Sequence, residues 1–165
     1  SLFNMVGSAP PMLMFSVGNQ GDGSEKDTVR NIRFLPEFVV HICNEEIAER
    51  MNICATDFPA GVRELEKAGF TSTPSVMVKP HRIKEAPVQM ECSLVKIVDF
   101  GTRHHVVFGE VVLFHFHDGI VNARYHVDLA LLNPIGRLSG SSYTRVSDQF
   151  LMERRYLGEK PKQLT

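Results

Sequence analysis

Two long apolar segments, 88–99 and 103–117, flank the short turn Phe100-Gly101-Thr102 and constrain the fold more than any other feature. Segments rich in β-branched and aromatic residues on either side of a glycine-containing turn predict a β-hairpin. In the first segment, Met90 to Val98 and Gln89 to Ile97 alternate between two faces, and both faces become apolar towards the turn. Strands of this kind are typical of barrels and sandwiches. The sequence therefore predicts a mainly β protein built around this hairpin.

Shorter segments around the hairpin predict further strands and several peripheral α-helices. Strands are expected at 12–17, 38–43 and 75–83, and helices at 26–35 (ended by Pro36), from Asn44, at 62–68 and from Asp128. Because the unequal helices do not repeat as βαβ units, a doubly wound parallel sheet is disfavoured. With 43% hydrophobic residues among 165, the chain can supply the core of one domain, 1–165.

Charge and composition exclude several classes of function. Eighteen Lys plus Arg against nineteen Asp plus Glu give a net charge of −1, without the basic excess of a nucleic-acid binder. Glu110 interrupts the most apolar stretch, 106–116, so no membrane span is expected, and the first residues lack the pattern of a secretory signal. The odd number of cysteines, Cys43, Cys54 and Cys92, without C-x-x-C spacing predicts reduced thiols and a cytoplasmic location.

The segment from Ser24 to Asn31 is a candidate anion site, because a glycine-rich loop enters a helix there. Free backbone N–H groups and the positive end of the helix dipole favour an anion such as phosphate at this position. Lys26 adds a charge, Thr28 a hydroxyl donor, and Asn31 an amide about one turn further on. The alternative is ordinary helix capping by Ser24 or Asp27, and no Walker or G-x-G-x-x-G motif decides between the two.

A second candidate is the loop Ser139-Gly140-Ser141-Ser142, which Arg137 and Arg145 bracket with Tyr143 between them. Two guanidinium groups and an aromatic plane suit a ligand with a ring and anionic groups. A solvated C-terminal loop explains the same residues equally well. The loop does not contain the G-x-S-x-G elbow of a serine hydrolase, so hydrolase chemistry has no support.

The histidines divide into three groups. His115 and His117 lie two apart on one face of a predicted strand, which allows a two-histidine metal site, yet a third ligand is not evident and a wet strand face is the simpler explanation. His104 and His105 are expected to be solvent residues at the tip of the hairpin. His41, in an apolar strand, is expected to be a hydrogen-bonded core residue. The sequence thus predicts neither a metal nor a catalytic side chain.

Five sequence blocks occur in order through most of the chain: S-L-F-N-x-x-x-S-x-P-P-M-x-M-F-S-V-G, K-D-T-x-x-N-I, E-F-V-V-H, G-E-V-V and I-G-R-L-x-G-S-x-Y. With these blocks the chain resembles the flavin reductase-like family of FMN-binding split-barrel proteins. The resemblance implies a Greek-key split β-barrel and a homodimer with FMN near the subunit interface. It also implies hydride transfer from NADH or NADPH to the flavin, with possible supply of reduced flavin to a partner monooxygenase.

The resemblance further implies which residues bind the cofactor. The isoalloxazine ring would lie along Ser1, Asn4, Met5 and Gly7. The strand that leads to the phosphate loop would end in Ser16 and Gly18, and the phosphate would contact Lys26, Asp27, Thr28 and Asn31. Tyr143 and Arg145 would lie on the C-terminal side of the flavin site. The phosphate assignment agrees with the argument from the helix N-terminus. The flavin itself accepts hydride at N5, so the chain needs no catalytic dyad.

Family members usually carry about two strands before the first block, whereas this chain begins inside it, so N-terminal strands are expected to be missing.

Three hypotheses of function follow. The first is an NAD(P)H:flavin reductase, with NADH or NADPH, and FMN or FAD, left open. The second is a flavoprotein that retains its FMN and passes electrons to another acceptor. The third is a non-catalytic split-barrel protein that binds flavin, haem or another planar ligand.

Overall fold

A computed structural model describes residues 3–56, 58–59, 61–152, 155 and 157–158 of the chain. The strands are β1 (Phe3–Ser8), β2 (Pro11–Gly18), β3 (Glu37–Ile42), β4 (Ser72–Thr73), β5 (Arg82–Ile83), β6 (Val88–Phe100), β7 (His104–Phe116), β8 (Ile135–Arg137) and β9 (Tyr143–Arg145). The helices are α1 (Asp27–Phe34), α2 (Ala48–Ile53), α3 (Glu64–Lys67) and α4 (Leu129–Leu132), with a 3-10 turn at Glu45–Ile47. Within these ranges no helix is long and apolar enough to cross a membrane.

One sheet of five strands organises the fold, in the order β1-β2-β7-β6-β3. At its centre, β6 and β7 pair from Val88 opposite Phe116 to Phe100 opposite His104, which confirms the predicted hairpin. Two small sheets, β4–β5 and β8–β9, lie outside it. All of these pairs are antiparallel, in agreement with the expectation that the sheet is not doubly wound and parallel.

Two irregularities in the central hairpin alter the alternation that the sequence predicted. The register between β6 and β7 shifts between Glu91 and Cys92 and again between Leu94 and Lys96. Such bulges bend a strand and change which side chains face the core. The five residues Val88–Cys92 are all buried, so the beginning of β6 is covered on both faces.

The main core lies between the central strands and α1. Its buried members are Leu13, Ile32, Phe38, Met90, Cys92, Val107 and Val111. The Phe38 ring meets Phe15 edge-on, with centroids 5.3 Å apart. Gly109 of β7 leaves the space for this ring, because a Cβ atom at that position would lie 2.3 Å from Cζ of Phe38. The glycine of the G-E-V-V block is therefore required by packing.

Polar side chains cap the starts of two helical segments, as predicted. Asn44 Oδ1 accepts a hydrogen bond from Ile47 N at the 3-10 turn, over 3.3 Å. Asp128 Oδ1 accepts from Ala130 N and Leu131 N at the start of α4, over 2.9 and 3.1 Å. Side chains that bind these otherwise unpaired N–H groups fix where a helix begins. The expected strands at 12–17 and 38–43 are also confirmed, as β2 and β3.

The strand predicted at 75–83 is wrong. Residues 76–80 form a series of bends, and only Arg82–Ile83 is extended and paired, with Ser72–Thr73. The backbone N–H groups of Val76, Met77 and Val78 donate to the carboxylate of Glu91 instead of to a neighbouring strand. A buried acid on another element therefore determines the conformation of this segment.

Candidate functional site

The first turn of α1 carries no side-chain cap. Lys26 is the N-cap residue, with extended backbone, and no side chain accepts a hydrogen bond from the helix there. The prediction that Ser24 or Asp27 caps this helix is wrong. Ser24 donates from both its backbone N and its Oγ to Asp22, and the Asp27 carboxylate pairs with Arg30 at 2.5 Å. Because the first N–H groups of a helix lack intrahelical acceptors, this end of α1 offers donors to an anion.

Four of the predicted site residues are exposed in the first two turns of α1 and at its N-cap: Lys26, Asp27, Thr28 and Asn31. The buried side of the same helix is held by Val29 and Ile32, whose exposure is 0% and 4%. Burial of one face fixes the other towards solvent, so the charge of Lys26 and the hydroxyl of Thr28 remain accessible. The asparagine is one turn further along, as expected.

A cavity of about 570 Å³ lies beside α1 and is lined mainly by apolar side chains. The predicted site residues Ser16, Thr28 and Tyr143 line it. The end of β2, the start of α1 and strand β9 therefore meet at this cavity. A volume of this size is typical of small-molecule and cofactor sites. The other predicted residues within the described ranges do not line this cavity: Asn4, Met5, Gly7, Gly18, Lys26, Asp27, Asn31 and Arg145.

The segment predicted to lie along the isoalloxazine ring forms β1, an edge strand of the five-stranded sheet. Asn4 and Met5 are exposed on it, with Met5 67% exposed, and Gly7 follows a shift in the pairing with β2. The outer edge of this strand has backbone groups outside the sheet ladder. Ser1, which was predicted to belong to the same site, lies outside the described residues.

At the end of β2, Gly18 stands opposite His104 of β7. A Cβ atom at Gly18 would lie 3.6 Å from the His104 ring, an ordinary contact distance, so the glycine is not required by packing there. His104 is exposed, as predicted for the tip of the hairpin.

The two arginines that the sequence grouped together lie on β8 and β9 and have different partners. The Arg137 guanidinium lies 5.9 Å from the centre of the Tyr143 ring. Arg145 instead pairs with Glu45, with 2.7 Å between Nε and Oε1. This hydrogen bond from Arg145 lowers the pKa of the Glu45 carboxyl. Tyr143 and Arg145, together with Glu45, also line a second cavity of about 370 Å³.

His105 is buried, and its prediction as a solvent residue is wrong. It is only 6% exposed, with Nδ1 at 2.7 Å from Asp99 Oδ1 and Nε2 at 3.1 Å from Asn19 Oδ1. Successive residues of a strand point to opposite faces, so His104 meets solvent while its neighbour points beneath the loop that precedes α1. Adjacent histidines at a hairpin tip gave no sign of this difference.

His41 is hydrogen-bonded, as predicted, but it is half-buried on the cavity wall and is not a core residue. Its Nε2 accepts a hydrogen bond from Ile83 N over 2.9 Å. Burial lowers the pKa of this imidazole to about 4, with a further contribution from the nearby charge of Arg82. The ring is therefore neutral at neutral pH, and Nδ1 carries the proton.

Glu91 is a fully buried carboxylate that sequence reasoning did not single out. It is 0% exposed and accepts hydrogen bonds from three consecutive backbone N–H groups and from His115 Nε2, at 2.6 Å. Burial alone would raise the pKa of this carboxyl, but these hydrogen bonds together lower it. A lone acid within an apolar strand was the available signal, because buried acids require partners.

The histidine pair considered for a metal has protein partners instead. His115 contacts Glu91, and His117 Nε2 lies 2.9 Å from the carbonyl oxygen of Lys84. Among the residues that the structure describes, no group of three or more His, Cys, Asp or Glu side chains has the arrangement of a metal site.

The three cysteines are free thiols, which confirms the expectation from their spacing. Burial raises the pKa of Cys92 to about 12 and also raises the pKa values of Cys43 and Cys54. Thiols with raised pKa values are protonated at neutral pH and react slowly. Cys43 and Cys54 line the larger cavity.

Comparison with known proteins identifies the class to which this chain and its fold belong. The model of the flavin reductase like domain matches residues 1–132. Nitrilotriacetate monooxygenase component B from Bacillus cereus is 32% identical, with a TM-score of 0.87 over 92% of this chain and 77% of that one. A 2-nitrobenzoate 2-nitroreductase from Pseudomonas fluorescens is 36% identical, with a TM-score of 0.84 over 96% and 76%.

Two further relatives extend this result. A protein from Aquifex aeolicus is 45% identical over 145 residues, which are 88% of this chain and 74% of that protein. A Shewanella frigidimarina protein with a split barrel domain shares the fold, with a TM-score of 0.83 at 17% identity over 94% and 76%. The chain belongs to the flavin reductase-like family and has its split-barrel fold. It is a flavin-related oxidoreductase that spans about three quarters of the length of these relatives.

Proposed function

We propose that this protein binds FMN with the phosphate at the first turn of α1 and transfers hydride to it from NADH or NADPH. The observation that supports the proposal is the uncapped start of α1, where Lys26 takes the N-cap position in a member of this family. A dianionic phosphate there would gain the helix dipole, backbone N–H donors and the lysine charge together. The exposed hydroxyl of Thr28 and amide of Asn31 extend the donor set.

The ring of the flavin is assigned to β1 and to the adjoining end of the cavity. Backbone N–H groups near Asn4 to Gly7 would face the N1 and C2 carbonyl side and stabilise negative charge on the reduced ring. Ser16 and Tyr143, which line the cavity, would flank the same ligand. Bound FMN supplies the hydride acceptor, and the chain supplies orientation and electrostatic stabilisation.

The nicotinamide donor would bind transiently over the flavin, because the sequence contains no Rossmann glycine motif. We assign the protein to the cytoplasm and to a homodimer with FMN near the interface, as the family resemblance implies. Similarity to a monooxygenase component B supports a role in which reduced flavin passes to a separate monooxygenase. FMN is preferred to FAD in this proposal because the family resemblance names it.

A second candidate function is a flavoprotein that keeps its FMN and reduces another acceptor. Similarity to a nitroreductase, at 36% identity, favours this candidate. The two functions differ in how tightly flavin is held. A reductase that releases reduced flavin loses its colour on dialysis, whereas an enzyme with a resident flavin keeps it.

The experiment is the visible spectrum of the purified protein before and after dialysis, followed by oxidation of NADH and of NADPH with and without added FMN. Flavin absorption that is bleached by a nicotinamide is the expected result. Oxidation of NADH or NADPH that requires added FMN supports the reductase. Oxidation of the nicotinamide by dialysed protein in the presence of a nitroaromatic acceptor, without added FMN, supports the second candidate. A protein that neither binds FMN nor oxidises a nicotinamide would contradict both, and a haem spectrum would indicate the non-catalytic alternative.

A further inference from the structure

Polar side chains from three parts of the fold meet beside the loop that leads into α1. His105 of β7 is at the centre, and its two ring nitrogens lie 2.7 Å from Asp99 Oδ1 and 3.1 Å from Asn19 Oδ1. Arg33 of α1 donates from Nη2 to Asp99 over 2.7 Å and from Nε to Glu25 over 3.1 Å. We call these five residues the His105 cluster.

The orientation of Asn19 establishes which of its atoms faces His105. Its amide nitrogen donates to the carbonyl oxygens of Gly23 and Thr102, over 2.8 and 2.9 Å. The amide oxygen is therefore the atom that faces the imidazole, and it can only accept a hydrogen bond. Asp99 also only accepts. Each ring nitrogen of His105 therefore faces an oxygen atom that accepts hydrogen bonds.

Charged groups from three elements face the His105 ring. They are Asp99 from β6, Glu25 from the loop at 3.8 Å, and Arg33 from α1 at 3.5 Å. Hydrogen bonds from His105 and then from Arg33 lower the pKa of Asp99. Arg33 thus joins the two carboxylates, and Asp99 is also within hydrogen-bond distance of the buried histidine.

The cluster holds both ends of the loop that carries the proposed phosphate site. Asn19 begins the loop, directly after β2, and its backbone N also donates to Arg103 at the tip of the β6–β7 hairpin. Glu25 ends the loop, immediately before the N-cap residue Lys26, and is bound to Arg33 of the same helix. The direction of the first N–H groups of α1 therefore depends on these contacts.

We propose that His105 is a positioning residue for anion binding: its ring contacts Asp99 and Asn19, joins the hairpin to loop 19–25, and so holds the start of α1 in the orientation that receives a flavin phosphate. This inference rests on the proposed function and adds a group that does not itself touch the ligand. Its specific consequence is that loss of the His105 ring weakens recognition of the phosphate but not of the flavin ring.

The experiment compares the dissociation constants of FMN and of riboflavin, which lacks the phosphate, by quenching of flavin fluorescence. His105→Ala and Asp99→Asn are expected to weaken FMN binding by about tenfold, since each removes a charge-assisted hydrogen bond. Riboflavin binding is expected to stay within about twofold of the wild type. His105→Gln, whose amide retains one donor, is expected to recover part of the loss. The matched control is His126→Ala, an exposed histidine outside the cluster.

The outcomes separate this inference from the proposed function. If the wild-type protein binds no FMN, the proposed function fails and this inference fails with it. If the wild type binds FMN and the His105 and Asp99 variants bind it equally well, His105 is not a positioning residue while the proposed function stands. An equal loss for FMN and riboflavin also overturns the inference, because it indicates general damage. If His105→Ala does not fold, Asp99→Asn and His105→Gln provide the same comparison with side chains of similar size.

Discussion

Replacement of Gly109 by alanine tests the packing argument for the central hairpin. A Cβ atom at Gly109 would lie 2.3 Å from Cζ and 2.9 Å from Cε1 of Phe38, and 3.3 Å from the backbone oxygen of Ser93. Carbon atoms in contact are ordinarily about 3.5–4.0 Å apart, so the ring would have to move by more than 1 Å. Phe38 is only 7% exposed and packs against Phe15, so it cannot move without displacing its neighbours.

Overpacking of this kind costs about 1–3 kcal/mol, and we expect Gly109→Ala to lower the free energy of unfolding by an amount near the upper end of that range. The assay is urea denaturation followed by circular dichroism, with the slope of the transition compared between variants. The matched control is Gly21→Ala, at an exposed position where a Cβ atom meets nothing within 4 Å. We expect the control to change stability by less than about 0.5 kcal/mol in the destabilising direction.

A second substitution identifies the cause. Phe38→Leu alone should destabilise the protein, but in the Gly109→Ala background it should recover stability, because the shorter side chain no longer meets the new methyl group. A Gly109→Ala protein that is as stable as the wild type would refute the packing argument. Simple additivity of the two substitutions would show that the cost arises elsewhere than at the Phe38 ring.

Three other predictions concern titration, the buried acid and the phosphate site. The pKa of His41 is about 4 in the folded protein and about 6.5 in the unfolded chain. The free energy of unfolding should therefore fall by up to about 3 kcal/mol as the pH is lowered from 6.5 to 4. His41→Gln should flatten this part of the curve of stability against pH. Glu91→Gln should destabilise the fold by about 2–4 kcal/mol in urea denaturation, because the backbone donors lose a charged acceptor, and an unchanged midpoint would argue against this role. Lys26→Met combined with Thr28→Val should weaken FMN binding about tenfold or more, with Lys67→Met on α3 as the control; unchanged FMN affinity would contradict the phosphate assignment.

The sequence predicted the elements that depend on neighbouring residues. The β6–β7 hairpin follows from alternation and a glycine turn, and the caps at Asn44 and Asp128 follow from side chains that bind backbone groups two or three residues away. These interactions are local, so their pattern is visible in the order of residues. The resemblance supplied the family and its split barrel, which the domain match and the related structures support.

Two of the errors arose where contacts join distant parts of the chain. The segment after Pro74 bends because its N–H groups bind a carboxylate 13–15 residues away. His105 is buried because Asn19, 86 residues earlier, covers it. The third error has a local cause, because Ser24 and Asp27 bind Asp22 and Arg30, two and three residues away, instead of the first N–H groups of α1. Residue type gave each of these side chains several suitable partners, and only the folded arrangement selects one.

The larger cavity is enclosed by segments that are far apart in sequence, including Phe15, Cys43 and Tyr143. The backbone joins them across that separation, since Ile135 N donates to the carbonyl oxygen of Cys43 over 3.1 Å. Such a site exists only when the whole chain has folded, so a molecule bound there stabilises the complete protein and no isolated part of it. At a concentration one hundred times its dissociation constant, that molecule would add about 2.7 kcal/mol to the unfolding free energy. Thermal stability of this protein thus becomes a measure of its occupancy, and a melting curve can rank ligands without an assay of turnover.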